Sequence, residues 1–118
     1  MVKYDVIIIG AGSIGVPTAL ATAESGLKTL VIDSLPSVAQ GDNKHAIGGI
    51  RATHSLKSKI WLCQRSIDIF ASWDDKFGDD IWWSQGGYTF LAFNKEHENQ
   101  LKDTVELQKS YGLNINLC

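Results

Sequence analysis

The sequence YDVIIIGAGSIG, residues 4–15, joins an apolar run to a glycine-rich turn, and this stretch decides the fold. Residues 4–9 predict a buried strand, and a helix follows the turn as far as Gly26. Thr29–Ile32 predict a second strand, which leads directly into Asp33. A strand, a GxGxxG turn, a helix, a strand and a terminal acid, in that order, are typical of dinucleotide binding. The sequence therefore predicts an α/β fold built on a Rossmann-like βαβ unit.

Each glycine of the turn has a separate physical role. Gly10 lets the chain bend sharply out of the strand, because glycine adopts backbone angles that other residues avoid. Gly12 has no Cβ and lets a pyrophosphate approach the backbone, and Gly15 lets the helix pack closely on the sheet. Asp33 can accept hydrogen bonds from an adenosine ribose, and its charge would repel the 2′-phosphate of NADP. The pattern leaves a ligand-free βαβ turn as the alternative.

A long segment without a helix or strand period, Ser34–His54, follows the βαβ unit. Such a segment is uncommon inside a compact domain unless it has a function. The pair Gly48-Gly49 would permit close approach of a flat ligand, while Lys44, His45 and Arg51 could meet anionic groups. Composition alone does not distinguish this interpretation from a solvated surface loop.

The second half of the chain predicts two helices and several short strands. Apolar residues three or four positions apart indicate each helix, and Ser55 and Asn94 are suitable N-caps. The inner face of the second helix would carry Val105 and either Leu107 or Gln108. A Gln-Gly-Gly sequence between two aromatic-rich runs indicates a hairpin. The predicted elements are a helix at Ser55–Phe77, hairpin strands at Ile81–Ser84 and Tyr88–Phe93, a helix at Lys95–Tyr111, and a strand beginning at Asn114–Leu117.

Composition limits the class of protein. The 118 residues are 44% hydrophobic with a formal net charge of −2, which suits a globular domain and disfavours nucleic acid as a partner. The longest apolar run, Val6–Ile9, is far shorter than the roughly 20 residues that span a bilayer. Cys63 and Cys118 are isolated, so we expect no metal site and a cytoplasmic protein with reduced thiols. One βαβ unit supplies two strands, so the sheet would be incomplete.

Four stretches resemble the amino-terminal part of the D-amino-acid oxidase superfamily of FAD-dependent oxidoreductases. Within it, the likeness is greatest to sarcosine oxidase β-subunits, dye-linked proline dehydrogenases and glycine oxidases. The first stretch, the βαβ unit, is common to many nucleotide-binding families, whereas the second and third are more specific. The stretches are Tyr4–Asp33, GDNKHAIGGIRATH at Gly41–His54, SQGGYTFLAF at Ser84–Phe93, and LQKSYGL at Leu107–Leu113.

The resemblance implies FAD as the cofactor, although flavoproteins more often carry Glu where this chain has Asp33, which leaves NAD open. Arg51 matches a position that faces the substrate carboxylate beside the flavin, and we name it as the candidate catalytic residue. A guanidinium can hold a carboxylate through two parallel hydrogen bonds. The residues implied in FAD binding are Gly10, Gly12, Ser13, Ile14, Gly15, Asp33, Ser34, Lys44, His45, Ala46, Gly48, Gly49 and Ile50.

The reaction implied is oxidation of the C–N bond of a small amino acid or secondary amine, with hydride transfer to the flavin. Residues 1–80 would begin the FAD-binding domain, and residues 81–118 would begin the substrate domain with a hairpin and a helix. The family's later segments are absent, so we expect a fragment, a truncated reading frame or a subunit, inactive alone and completed in a homo-oligomer or by a partner chain. The alternatives are a non-catalytic nucleotide-binding module and an NAD-binding domain.

Overall fold

The computed structural model describes all 118 residues, Met1–Cys118. They form two compact units, Met1–Gly49 and Ile50–Cys118. The functional boundary expected at residue 80 stays a prediction.

The first unit is a βαβ unit with a parallel sheet. Strand β1, Val6–Ile9, pairs with β2, Thr29–Ile32, in a register that sets Val6 opposite Thr29 and Ile9 opposite Ile32. Helix α1, Gly15–Glu24, connects the two strands. This confirms the predicted α/β class and the incomplete sheet, which has two strands. The following segment contains one turn of 3₁₀ helix, Asp42–His45.

Only one face of this sheet is covered by helix α1. Ile8 points toward the helix, since its Cγ2 atom lies 3.4 Å from the position of a Cβ at Gly15. The alternate side chains of the strand point the other way, and Ile7 and Ile9 are 59% and 85% exposed. Parallel sheets are normally covered on both faces. The first unit therefore has an uncovered apolar sheet face.

The second unit is helical, and a serine divides its first predicted helix. Ser72 donates its hydroxyl hydrogen to the carbonyl of Asp68 at 2.8 Å and has φ −100° and ψ 10°. Such a side-chain bond competes with regular helix geometry. The single helix expected at Ser55–Phe77 is therefore two helices. The helices of this unit are α2, Lys57–Ala71, α3, Trp73–Phe77, and α4, Lys95–Ser110.

The small core of the second unit includes a buried glutamine side chain. Ile60 is 1% exposed and Val105 is 6% exposed, and Gln108 is also buried at 4%. The Gln108 amide donates from Nε2 to the carbonyl oxygen of His54 at 3.0 Å. Of the two residues predicted as alternatives for the inner face of α4, Gln108 is therefore the one that is buried, since Leu107 is 39% exposed.

The hairpin expected at Ile81–Ser84 and Tyr88–Phe93 is wrong, because neither run forms a strand. Trp82 has φ +56°, a left-handed conformation that interrupts an extended chain. The Asp80 carboxylate stabilises this turn by accepting the amide hydrogen of Trp82 at 2.7 Å. The ring of Trp83 stacks on Phe70 of α2, with ring centroids 5.8 Å apart, instead of packing across a second strand.

Of two predicted helix caps and one predicted C-terminal strand, the structure confirms one cap. Asn94 caps α4 as expected, since its Oδ1 atom accepts the amide hydrogen of His97 at 2.9 Å. Ser55 is not the cap of α2, because the helix begins one residue later, after an extended Leu56 without a side-chain cap. Asn114–Leu117 forms no strand, because no strand of the second unit is present to pair with it.

None of the helices combines the length and the apolar character needed to cross a bilayer. The thiols of Cys63 and Cys118 are both free. The cytoplasmic location stays a prediction.

We expect Gln108→Leu to lower the free energy of unfolding by about 1–3 kcal/mol, because it leaves the His54 carbonyl without its buried partner. Urea unfolding followed by tryptophan fluorescence measures this, since all four tryptophans lie in the second unit. The control is Gln100→Leu on the exposed part of α4, which should stay within about 0.5 kcal/mol of the parent. Equal effects of the two substitutions would show that the buried amide bond contributes nothing specific.

Candidate cofactor site

The glycine-rich turn leaves β1 through a left-handed glycine. Gly10 has φ +105°, a conformation that side chains with a Cβ avoid. Its amide donates to the carbonyl of Ile32 at 2.8 Å, which continues the pairing of the two strands by one residue. The turn then rises into α1, where the amide of Val16 donates to the carbonyl of Gly12 at 3.1 Å.

Gly15 is required by close packing rather than by its backbone angles. A Cβ at Gly15 would lie 1.8 Å from the carbonyl oxygen of Gly10, a separation no real contact allows. The first turn of α1 therefore lies directly against the end of β1. This geometry agrees with the packing role expected for the third glycine of the motif.

The carboxylate of Asp33 joins the end of β2 to the turn. Its Oδ2 atom accepts the amide hydrogen of Ala11 at 2.6 Å, and its Oδ1 atom accepts that of Leu35 at 2.8 Å. The amide of Ala11 and then that of Leu35 are the main causes that hold the pKa of this carboxyl below its ordinary value. Ala11 is 5% exposed. Its part in the site is not signalled by the sequence, because the motif defines only the glycines around it.

An open cleft of about 400 Å³ lies at the carboxyl ends of the two strands. Ligands of open α/β sheets bind at this edge. The lining includes Asp33 and Ser34, two of the residues expected to contact the cofactor. The lining residues are Ile9, Gly10, Ile32, Asp33 and Ser34.

The first turn of α1 presents amide groups that suit an anion. The amides of Ile14 and Gly15 donate to no protein acceptor, and no side chain caps the helix. The amide of Ser13 donates to the Oδ1 atom of Asn43 at 3.2 Å. Free amides at a helix N-terminus and the helix dipole favour negative charge.

Gly12 keeps the backbone open to a ligand. The nearest atom to a Cβ built on Gly12 is Oδ1 of Asn43, at 3.4 Å, and Gly12 is not in the left-handed region. Apart from its chain neighbours, no other residue has an atom within 4 Å of that position. The residues present therefore fit the diphosphate of a dinucleotide, with the open cleft beside it for the ribose.

The loop after β2 is joined to the turn by two residues that sequence reasoning did not select. The amide of Ala39 donates to the carbonyl of Ala11 at 2.9 Å, and Asn43 accepts from Ser13. Lys44 and His45 are exposed and make no hydrogen bond to the turn. Asn43 could not be identified from spacing, since its contact spans 30 residues of an irregular loop.

The remaining predicted loop residues are divided between the two units. Ala46, Gly48 and Gly49 are exposed at the end of the first unit, and Gly48 has φ +72°. Ile50 and Arg51 begin the second unit. Contacts of all these residues with FAD stay a prediction.

Arg51, the candidate catalytic residue, lies over an aromatic ring of its own unit. Its guanidinium carbon is 6.0 Å from the centre of the Phe90 ring, the outer limit of a cation–π contact. Phe90 belongs to the third of the stretches that resemble flavoenzymes, and Arg51 belongs to the second. The structure thus brings two of these stretches together. Near Arg51 in the sequence, the Thr53 hydroxyl is buried without a hydrogen-bond partner.

We expect the acid stability of the first unit to depend on Asp33. Because the pKa of this carboxyl is lower in the folded state, its contribution is fully present above its ordinary value of 3.8 and is lost as the pH falls through the folded value. Unfolding followed by circular dichroism between pH 7 and pH 3 should therefore show a smaller acid-induced loss in Asp33→Asn than in the parent.

The control for this experiment is Asp103→Asn on α4, whose carboxylate makes no hydrogen bond to the turn. This variant should keep the parental pH dependence. If Asp33→Asn kept it as well, the bonds from Ala11 and Leu35 would not be stabilising the folded carboxylate.

Comparison with known proteins identifies relatives over almost the whole chain. The sequence pattern of the family described as FAD dependent oxidoreductase, abbreviated DAO, matches residues 5–117. The tRNA uridine 5-carboxymethylaminomethyl modification enzyme MnmG of Protochlamydia amoebophila is 42% identical over 94% of this chain, and mouse mitochondrial sarcosine dehydrogenase is 24% identical over 92%. The crystal structure of L-proline dehydrogenase from P. horikoshii superimposes on 93% of the chain with a TM-score of 0.83 and 25% identity.

The chain spans only part of each of these proteins: 19% of the tRNA-modifying enzyme, 12% of sarcosine dehydrogenase and 29% of the proline dehydrogenase chain. The family match nevertheless includes both units, from Asp5 in β1 to Leu117. With the dinucleotide turn, the cleft and the Asp33 carboxylate in place, it confirms the FAD-type cofactor inferred from the sequence. This chain belongs to the DAO family of FAD-dependent oxidoreductases.

Proposed function

We propose that the chain is the FAD-binding part of an oxidoreductase that oxidises the C–N bond of an amino acid or secondary amine. The observation that carries this proposal is the turn between β1 and α1. Its open amides lie beside a cleft of about 400 Å³ that Asp33 and Ser34 line. Family membership supplies the identity of the dinucleotide.

Different residues of the first unit would contact the diphosphate and the ribose of the cofactor. The amides of Ser13, Ile14 and Gly15 would donate to the diphosphate, above the bare backbone of Gly12. Asp33 accepts one protein hydrogen bond on each oxygen, and an ionised carboxylate has about four acceptor sites, so lone pairs remain for the ribose hydroxyls. FAD, when bound, supplies the hydride acceptor.

The substrate class is supported by two relatives. Sarcosine and proline, which appear in the names of the mouse dehydrogenase and the P. horikoshii dehydrogenase, each combine a secondary amine with a carboxylate. Arg51 would hold that carboxylate in a bidentate contact. The ring of Phe90 lies 6.0 Å from the guanidinium carbon and leaves the exposed guanidinium accessible to a carboxylate. A small amine or amino acid is therefore the proposed substrate, and Arg51 its anchor.

A second candidate follows from the 42% identity to a tRNA-modifying enzyme. That relative shares the cofactor turn, so FAD binding alone does not separate the two functions. The formal charge of −2 gives this chain no broad positive field for a polynucleotide. Charge thus favours the amine oxidoreductase, and bleaching of bound flavin by an amine would separate the two.

The architecture of the whole protein is also part of the proposal. The uncovered sheet face and the short span of the chain relative to its relatives support completion by further polypeptide, either a longer chain or a partner in an oligomer. In this arrangement the chain alone holds the adenosine half of FAD without turning over substrate.

We expect Gly12→Val to weaken FAD binding about tenfold or more, the loss of roughly 1.4 kcal/mol or more. The added side chain would occupy the space above the backbone, while the fold should tolerate it because only the side-chain oxygen of exposed Asn43 lies within 4 Å of the new Cβ. Titration of FAD followed by flavin fluorescence gives the affinity, and a parallel titration with NAD tests the other dinucleotide.

The matched control is Gly41→Ala, where a Cβ meets no atom within 4 Å and φ is −77°. It should bind FAD as the parent does. Unchanged FAD affinity in Gly12→Val would contradict the placement of the diphosphate, and a preference of the parent for NAD would contradict the choice of cofactor.

We expect Arg51→Met, in the full-length protein with FAD bound, to reduce flavin bleaching by proline at least tenfold more than bleaching by pyrrolidine. Proline carries the carboxylate that Arg51 would hold, and pyrrolidine lacks it; loss of a charge-assisted bond costs about 1.5–3 kcal/mol. Arg65→Met, an exposed arginine of α2, serves as control. Equal loss with both amines would remove Arg51 from carboxylate recognition.

A further inference from the structure

The amide of Ser13, at the start of α1, already has a partner in this chain. It donates to Oδ1 of Asn43 at 3.2 Å, and the same oxygen lies 3.4 Å from the position of a Cβ at Gly12. One neutral carboxamide oxygen therefore stands in front of the Ser13 amide and over the bare backbone of Gly12. These are the two places where the proposed function puts the diphosphate.

The contact is of a kind that can be broken without unfolding the loop. Asn43 is exposed and belongs to a single turn of 3₁₀ helix that follows Gly41. Its bond to Ser13 is at the long end of the range for N–H···O bonds. The other bond between loop and turn, from Ala39 to the carbonyl of Ala11, uses backbone atoms only. The carboxamide can leave while the loop stays attached.

A diphosphate is a better partner for this helix end than a carboxamide. Hydrogen bonds to an anion are roughly twice as strong as neutral ones, and the helix dipole adds to the preference. Asn43 uses the amide of Ser13 alone, whereas those of Ile14 and Gly15 have no acceptor. The several oxygens of a diphosphate can accept from all three.

We propose that Asn43 is a displaceable cap of the glycine-rich turn, bound to the Ser13 amide just before α1. Its carboxamide occupies the diphosphate position in the cofactor-free chain and leaves when the dinucleotide binds, so that each binding event must break the bond to Ser13. Asn43 thus lowers cofactor affinity and positions the loop before binding. This inference rests on the proposed FAD site and adds a residue, Asn43, that competes with the dinucleotide for that site.

The test compares two substitutions of opposite expected sign by titration of the chain with FAD, ADP and AMP. Asn43→Ala should bind FAD and ADP about two- to tenfold more tightly than the parent, the equivalent of one neutral hydrogen bond. Asn43→Asp should bind both more weakly, because a carboxylate accepts more strongly from Ser13 and repels phosphate. AMP, with one phosphate, should gain less from Asn43→Ala. Asn99→Ala, an exposed asparagine of α4, should change nothing.

Amide NMR supplies a readout that does not depend on affinity. The Ser13 signal should shift in Asn43→Ala without ligand, and in the parent when ADP is added. Asn43→Ala binding ADP as weakly as the parent, or more weakly, would overturn the cap while FAD binding by the parent left the proposed function intact. A parent chain that binds neither FAD nor ADP would overturn both.

Discussion

The site depends on one carboxylate that bonds two backbone amides from different parts of the chain. Asp33 links Ala11, in the turn after β1, to Leu35, after β2. The glycines allow the turn to form, and the amide of Gly10 bonds to the carbonyl of Ile32 at the end of β2. The carboxylate adds a second link between the turn and the end of β2, through a side chain. Charge-assisted bonds of this kind are stronger than neutral ones.

The two polar side chains at the turn differ in the acceptor capacity that they leave free. Asp33 accepts one protein hydrogen bond on each oxygen, so lone pairs remain for the proposed ribose contact. Asn43 gives its oxygen to the Ser13 amide that a diphosphate would use, so the carboxamide and a diphosphate compete at this position. If the diphosphate binds as proposed, its binding requires one local rearrangement, the release of the Asn43 carboxamide, while the bonds of Asp33 stay in place.

What could be predicted from the sequence is the part governed by short-range chemistry. The βαβ unit follows from an apolar run, a glycine pattern and an acid within residues 4–33, and the cap at Asn94 follows from local propensity. Contacts between distant residues could not be predicted this way. Asn43 bonds to Ser13 across 30 residues, and Trp83 packs on Phe70 where two aromatic-rich runs around a Gln-Gly-Gly turn predicted a hairpin. Such a local signal does not show which distant residue an aromatic side chain will contact.

Helix α1 covers one face of the two-stranded sheet and leaves the other face exposed. The turn and the cleft are formed by residues of the first unit alone. Ile7 and Ile9 on the other face of β1 remain in contact with solvent, an arrangement that parallel sheets avoid. Because the burial of apolar side chains is favourable, a further layer of protein over this face would stabilise the first unit.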